Sequence, residues 1–138
     1  MKRANVSGFT LLELLVVVII VGILATVAIP SFTRAMERSR QTEATSFLDT
    51  LKTAEEAYNQ ENRIYTGNFA DLMVEQPLDT DEKRYFKYSL ASSDSTHYTG
   101  TATRKLAADT GPGKGKSPAG STAYTVTIEE SGILSSSF

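Results

Sequence analysis

The chain has 138 residues, no cysteine, and a formal charge of −2 from 14 basic and 16 acidic side chains. That length leaves room for one small domain once an apolar N-terminal segment is set aside. The absence of cysteine excludes disulfides and thiolate chemistry, and the balanced charge supplies no broad basic field for duplex DNA.

In chain order, residues 1–8 (MKRANVSG) form a short polar leader carrying Lys2 and Arg3, a cationic arrangement that stays on the cytoplasmic side of a membrane. Residues 9–32 follow with Glu13 as the one strongly polar side chain, and residues 14–29 read LLVVVIIVGILATVAI. As a helix rising 1.5 Å per residue, residues 9–32 reach about 36 Å, against about 30 Å of hydrocarbon in a bilayer. This segment is expected to span the membrane and leave the rest of the chain outside. Arg34, Arg38 and Arg40 beyond its far end, partly balanced by Glu37 and Glu43, soften the charge asymmetry that sets this orientation. A secretory signal cut between Ala28 and Ile29, after Thr26-Val27-Ala28, is the competing reading. The length of the apolar run and the acid near its start count against it.

An ionisable group costs about 2.5–3.5 kcal/mol at the centre of a bilayer and less toward the interface. Glu13 therefore either rests in the headgroup layer or has a counter-charge to meet. Gly22 and Pro30 weaken the helix: Pro30 cannot donate to the carbonyl of Thr26 and crowds that turn, and Gly22 adds backbone freedom. A kink or local melting is expected there.

The run Gly8-Phe9-Thr10-Leu11-Leu12-Glu13, the apolar helix after it and then Pro30 resemble the prepilin N-terminus shared by type IV pilins and the pseudopilins of type II secretion. The resemblance implies that a prepilin peptidase cleaves between Gly8 and Phe9 and N-methylates Phe9. It makes Glu13 the fifth mature residue, whose carboxylate pairs with the new amine of an adjacent subunit and sets register. It implies also that the stretch around Gly22 and Pro30 loosens on assembly, the alternative being a passive bend. The likeness is specific over residues 1–32 and otherwise one of layout. Many pilins close their C-terminal region with a disulfide, which this chain must replace by strand pairing and packing.

Residues 33–42 read as charged nearly all round apart from Ala35 and Met36, a continuous helix bridging membrane and domain. From there Ala44, Phe47, Leu48, Leu51, Ala54 and Tyr58 trace one helical face on which a domain packs. The helical pattern fades near residues 60–62. Residues 61–84 read as an irregular connection, the αβ loop, with Gly67 and Pro77 as breakers and a short turn near residues 70–73. Strand-period alternation then appears at Phe86, Tyr88 and Leu90, at Tyr98, Gly100 and Ala102, and at Tyr124, Val126 and Ile128. These suit a small antiparallel sheet within residues 85–138, one face of which covers the helix. Residues 107–122 are rich in Gly, Pro, Ser and Lys and read as an exposed loop, and Ile133 and Leu134 suggest a short edge strand.

Few side chains point to further chemistry. TGPGKGKS nearly matches a phosphate-binding loop, but Thr110 stands where the first glycine belongs and Pro118 where a helix should begin. Arg104, Lys105, Lys114 and Lys116 near Tyr98 and Tyr124 are the mixture that holds phosphates and stacks on single-stranded bases, with a solvated loop as the plainer reading. Asp79, Asp81 and Glu82 offer oxygens for calcium without the spacing of an EF-hand, and solvated acids explain them. His97, the only histidine, reads as a strand-surface residue. The sequon at Asn5 lies in the leader.

The expectation is an α+β pilin fold: a long, kinked N-terminal helix, its apolar half protruding, packed by its second half on a small antiparallel sheet. Three segments follow, a leader at 1–8, an apolar helix at 9–32, and an extended helix with its head at 33–138. The expected function is a structural pilus subunit, a precursor in the inner membrane and a surface filament after assembly, with adhesion, motility or DNA uptake as its role. Its partners would be copies of itself, a prepilin peptidase, and an inner-membrane assembly platform with minor pilins. A periplasmic pseudopilus for protein export and a tethered module that never polymerises are the alternatives. No cofactor, metal or catalytic residue is expected, and an enzyme is the class with least support.

Overall fold

The computed structural model describes residues 8–81, 83–106 and 123–137. They fall into two compact units, residues 1–35 and 36–138, and one helix, α1 (Leu11–Asn62), contributes to both. Thr10 caps it, accepting the Glu13 N–H on its hydroxyl at 3.2 Å, so the first turn carries the Thr-x-x-Glu arrangement of a capping box.

In the first unit every large apolar side chain of α1 is exposed, Phe32 included. Gly22 and Pro30 do not interrupt the helix, so the local melting expected there is absent. Pro30 removes only its own N–H from the ladder, and the neighbouring hydroxyls bond back to the helix, Thr26 donating to the Ile23 carbonyl at 2.7 Å and Thr33 to the Pro30 carbonyl at 2.9 Å.

The second unit is the head. Past α1 come a 3-10 turn, η1 (Phe69–Asp71), and four strands: β1 (Phe86–Asp94), β2 (His97–Arg104), β3 (Thr125–Glu129) and β4 (Leu134–Ser136). They form one antiparallel sheet in the order β1-β2-β3-β4. The registers Tyr88↔Ala102 and Ala102↔Val126 put the inward side chains on one face, as the alternation predicts. The edge strand expected at residues 133–134 begins at Leu134, with Ile133 immediately before it.

That face covers Ala44, Leu48 and Leu51 of α1 with Phe86, Tyr88, Tyr98, Ala102, Tyr124, Val126 and Ile128. Phe47, Ala54 and Tyr58 flank this core half-buried, and Phe69 and Leu72 close it from the connecting loop. Helix and sheet approach closely at Gly100, where a Cβ would stand 2.8 Å from Leu51 Cδ2 and 3.1 Å from Ile128 Cγ2. The helix stops at Arg63, whose φ of 63° is the left-handed conformation that usually falls to glycine at this position.

One expectation fails here. Residues 33–42 are not charged all round toward solvent, because Glu37 is buried. It lies seven residues before Ala44, two helical turns along the same face, and the sheet covers it along with the apolar stripe.

Candidate functional site

Gly8, Phe9 and Thr10 precede α1 in non-helical conformation. Phe9 is exposed, and a Cβ on Gly8 would meet nothing within 4 Å beyond its own chain neighbours. Glu13 sits in the first helical turn, where a negative charge complements the unpaired N–H groups of the helix end. The structure thus groups Gly8, Phe9 and Glu13 around one helix start, with Gly22 and Pro30 farther along the same apolar rod. Thr10 belongs with them and could have been found from the sequence, since Thr10 and Glu13 have capping-box spacing.

The head holds a second polar assembly that the sequence reading did not anticipate. Glu37 Oε1 accepts from Arg104 Nε and, at 2.9 Å, from the Tyr124 hydroxyl; Glu37 Oε2 accepts from Arg40 Nη1 at 2.8 Å. Arg104 Nη1 donates to the carbonyls of Tyr85 (3.2 Å) and Lys105 (3.0 Å), and its guanidinium lies over the rings of Tyr85 and Phe86. Burial alone would raise the Glu37 pKa, but hydrogen bonds from Arg104, Tyr124 and Arg40 outweigh it and hold the carboxyl below its ordinary value. The parity was legible: Arg104 is two residues past inward-facing Ala102, and Tyr124 is two before Val126.

This assembly corrects the proposed basic patch. Arg104, Lys105, Tyr98 and Tyr124 are all buried, so none offers a cation or a ring to an external base. Lys105 Nζ instead donates to the Asp81 carbonyl at 2.7 Å. Lys114, Lys116 and the whole TGPGKGKS run lie outside the described residues, as do Asn5 and Glu82. Asp81 accepts from the Lys83 N–H and pairs with Arg84, and no group of three metal-ligating side chains occurs among the described residues. His97 is on the strand surface as expected. Its Nδ1 lies 2.9 Å from Asp94 Oδ1, which raises its pKa.

At the far end of the buried face of α1 stands Glu55, fully buried, with Oε2 accepting from the Thr66 N–H at 3.1 Å. Glu55 Oε1 and the Tyr98 hydroxyl are buried without a hydrogen-bond partner. Burial raises the Glu55 pKa; the Thr66 N–H opposes the shift and the Asp71 charge adds to it.

An exposed helix long and apolar enough to cross a membrane, acidic in its first turn, joined to an α+β head with one antiparallel sheet, defines the pilin-like class of protein. Comparison with known proteins agrees. Residues 3–29 match the prokaryotic N-terminal methylation motif, and residues 30–117 match the family described as type IV minor pilin ComP, DNA uptake sequence receptor. The chain belongs to the type IV pilin family.

Relatives come from both branches of that family. The chain is 42% identical over 69 residues to the type IV wide pilus major component PilA4 of Thermus thermophilus, covering 50% of this chain and 53% of that one. It is 35% identical over 89 residues to the type II secretion system core protein G of Aeromonas hydrophila, covering 63% and 62%. It is 39% identical over 87 residues to the type IV major pilin PilA of Myxococcus xanthus, covering 63% and 39%. The alignments thus span between about two fifths and three fifths of these relatives' lengths.

Proposed function

We propose that this chain is a structural subunit of a type IV filament, cut between Gly8 and Phe9, methylated on Phe9, and held by residues 9–32 in the inner membrane until it assembles with copies of itself. The observation that carries this reading is the N-terminal part of α1, whose large apolar side chains from Leu11 to Phe32 are all exposed and which carries one acid, in its first turn. Such a surface needs lipid before assembly and neighbouring helices after it. Cleavage would create an amine on Phe9, and the Glu13 carboxylate of an adjacent subunit is its counter-charge, which fixes register as the helix leaves the lipid. Gly22 and Pro30 would be the positions where the helix loosens as subunits close up. The peptidase, an assembly platform and minor pilins are the partners this route requires.

Two measurements test the reading. The mature N-terminal peptide should carry a methylated Phe9, whereas a chain beginning at Ile29 would make residues 9–28 a discarded signal. Glu13→Ala should abolish polymer recovered by shearing, and undiminished polymer would sink the register role. A surface filament is favoured over a periplasmic export fibre if sheared cells release the chain. A secretion defect without surface filaments favours the export fibre.

The description of the family matched by residues 30–117 supports a second reading, a minor subunit that receives DNA. With Arg104 and Lys105 buried, Lys114 and Lys116 are what remain of the cations first considered for this role. DNA retention by purified filaments that weakens with salt, and weakens further in a Lys114→Ala, Lys116→Ala variant, is the outcome this reading requires.

A further inference from the structure

The described surface of the connection between α1 and β1 is tied to the helix through Glu55. This side chain is fully buried and accepts the Thr66 N–H on one oxygen. Thr66 in turn donates its hydroxyl to Asp71 Oδ2 at 2.8 Å and accepts the Asn68 N–H at 3.2 Å. Asn68 caps η1 by accepting the Ala70 N–H. A chain of short-range bonds thus runs from one helical carboxyl through residues 66–71 to Leu72, a core residue whose N–H donates to the Phe69 carbonyl at 3.1 Å, and Met73, the next residue, is fully exposed.

The other Glu55 oxygen has no partner, and neither does the buried Tyr98 hydroxyl. The titratable groups around them supply no compensating cation. Asp71 faces Glu55 from η1; Tyr98 faces it from β2; Glu56 on α1, Tyr65 on the loop and Glu130 beyond β3 act on Tyr98. The nearby Lys52 is paired with Glu56 at 3.1 Å. An ionised carboxylate at this place would be a buried charge beside a second acid, with one oxygen unsolvated. A proton on Oε1 removes that charge and converts an orphaned acceptor into a donor, while Oε2 keeps the Thr66 N–H.

We propose that Glu55 is a proton-operated latch: in its protonated form it holds residues 65–72 against α1 and β2, and loss of the proton to bulk water releases that segment while the sheet stays folded. The direction follows from linkage. A carboxyl held above its ordinary value is bound to its proton more tightly in the closed form, so closure weakens as pH rises from 4.5 through the closed-form value. Release would free Met73 from its anchor at Leu72 and so change the apolar surface this loop presents.

The test is amide hydrogen exchange of the full chain in detergent micelles, corrected for the intrinsic pH dependence of exchange, from about pH 4 to about pH 8. Protection of peptides covering residues 63–72 should fall by up to about tenfold per pH unit as pH rises from 4.5 toward the closed-form Glu55 value and level off above it, while β2 and β3 hold theirs. Glu55→Gln keeps an acceptor and adds a donor that cannot ionise, so its protection should be high and flat. Glu55→Ala should be poorly protected at every pH. His97 and Asp94 also titrate in the hairpin whose Ser95 carbonyl accepts the Tyr65 N–H, and Glu55→Gln separates them from the latch. A flat wild-type profile, a fall that persists in Glu55→Gln, or wild-type protection in Glu55→Ala overturns the proposal.

Discussion

At one end of the buried face of α1, Glu37 meets Arg104, Tyr124 and Arg40; at the other, Glu55 meets one backbone N–H and has an oxygen to spare. Both carboxyls are buried on the same side of the same helix. The first is held ionised by its donors, and its pKa falls. The second has no cation, and its pKa rises. Burial by itself therefore does not decide how a carboxyl behaves; the count of donors aimed at it does. The Glu37 end fastens the sheet to the helix, and the Glu55 end fastens a loop.

The largest effect should come from stranding the charge at the first end. Arg104→Met leaves Glu37 buried without its main partner and should cost about 3–5 kcal/mol in denaturant unfolding of the full chain in detergent. Adding Glu37→Met should recover most of that loss, because two apolar side chains of similar volume fill the space without charge. If the double variant is no more stable than Arg104→Met, the ion pair is not what Arg104 contributes.

The second end should be more forgiving. Glu55→Ala orphans the buried Thr66 N–H and should cost about 1–3 kcal/mol, whereas Glu55→Gln should lie close to wild type. A large loss in Glu55→Gln would mean that the carboxyl works as an anion after all, and the contrast between the two ends would collapse.

The pH profile sharpens the contrast through its signs. Glu37, depressed in the folded chain, contributes stability above pH 4.5 that disappears as pH drops through its folded value. Glu55, raised in the folded chain, contributes below 4.5 and loses that contribution as pH climbs through its folded value. Denaturation midpoints across the acid and neutral range should therefore show a maximum that Glu55→Gln broadens toward neutral pH. The Glu37→Met, Arg104→Met pair should flatten the acid side. Smallest of all should be the response to His97→Gln. The His97–Asp94 pair is stabilising while His97 is charged, below about pH 6.5, and fades as pH rises through the elevated folded value, but both side chains are exposed and solvent screens them. Midpoints unchanged within error at each pH are the expected outcome.

Much of the architecture was legible because it rests on local periodicity. The apolar run, the stripe through Ala44, Leu48 and Leu51, and the alternation through Phe86 and Tyr88, Tyr98 to Ala102 and Tyr124 to Ile128 all carry spacings that fix which face turns inward. The same parity reaches Arg104, and the same helical face reaches Glu37 and Glu55, yet reading charge as exposure ended the strand stripe before Arg104, began the helical one after Glu37 and passed over Glu55. Arg104 and Lys105 were expected on the surface for that reason.

What the amino-acid order settled alone is the set of features whose cause lies within a few residues: a helix too apolar for water, a cap at Thr10, a Gly-Phe junction followed by an acid, and strands with one oily side. Tertiary structure alone decided which charges are interior. Glu37 and Arg104 are separated by 67 positions, and neither tolerates burial until the other arrives. A buried charge is a property of a pair, and no local window contains the pair.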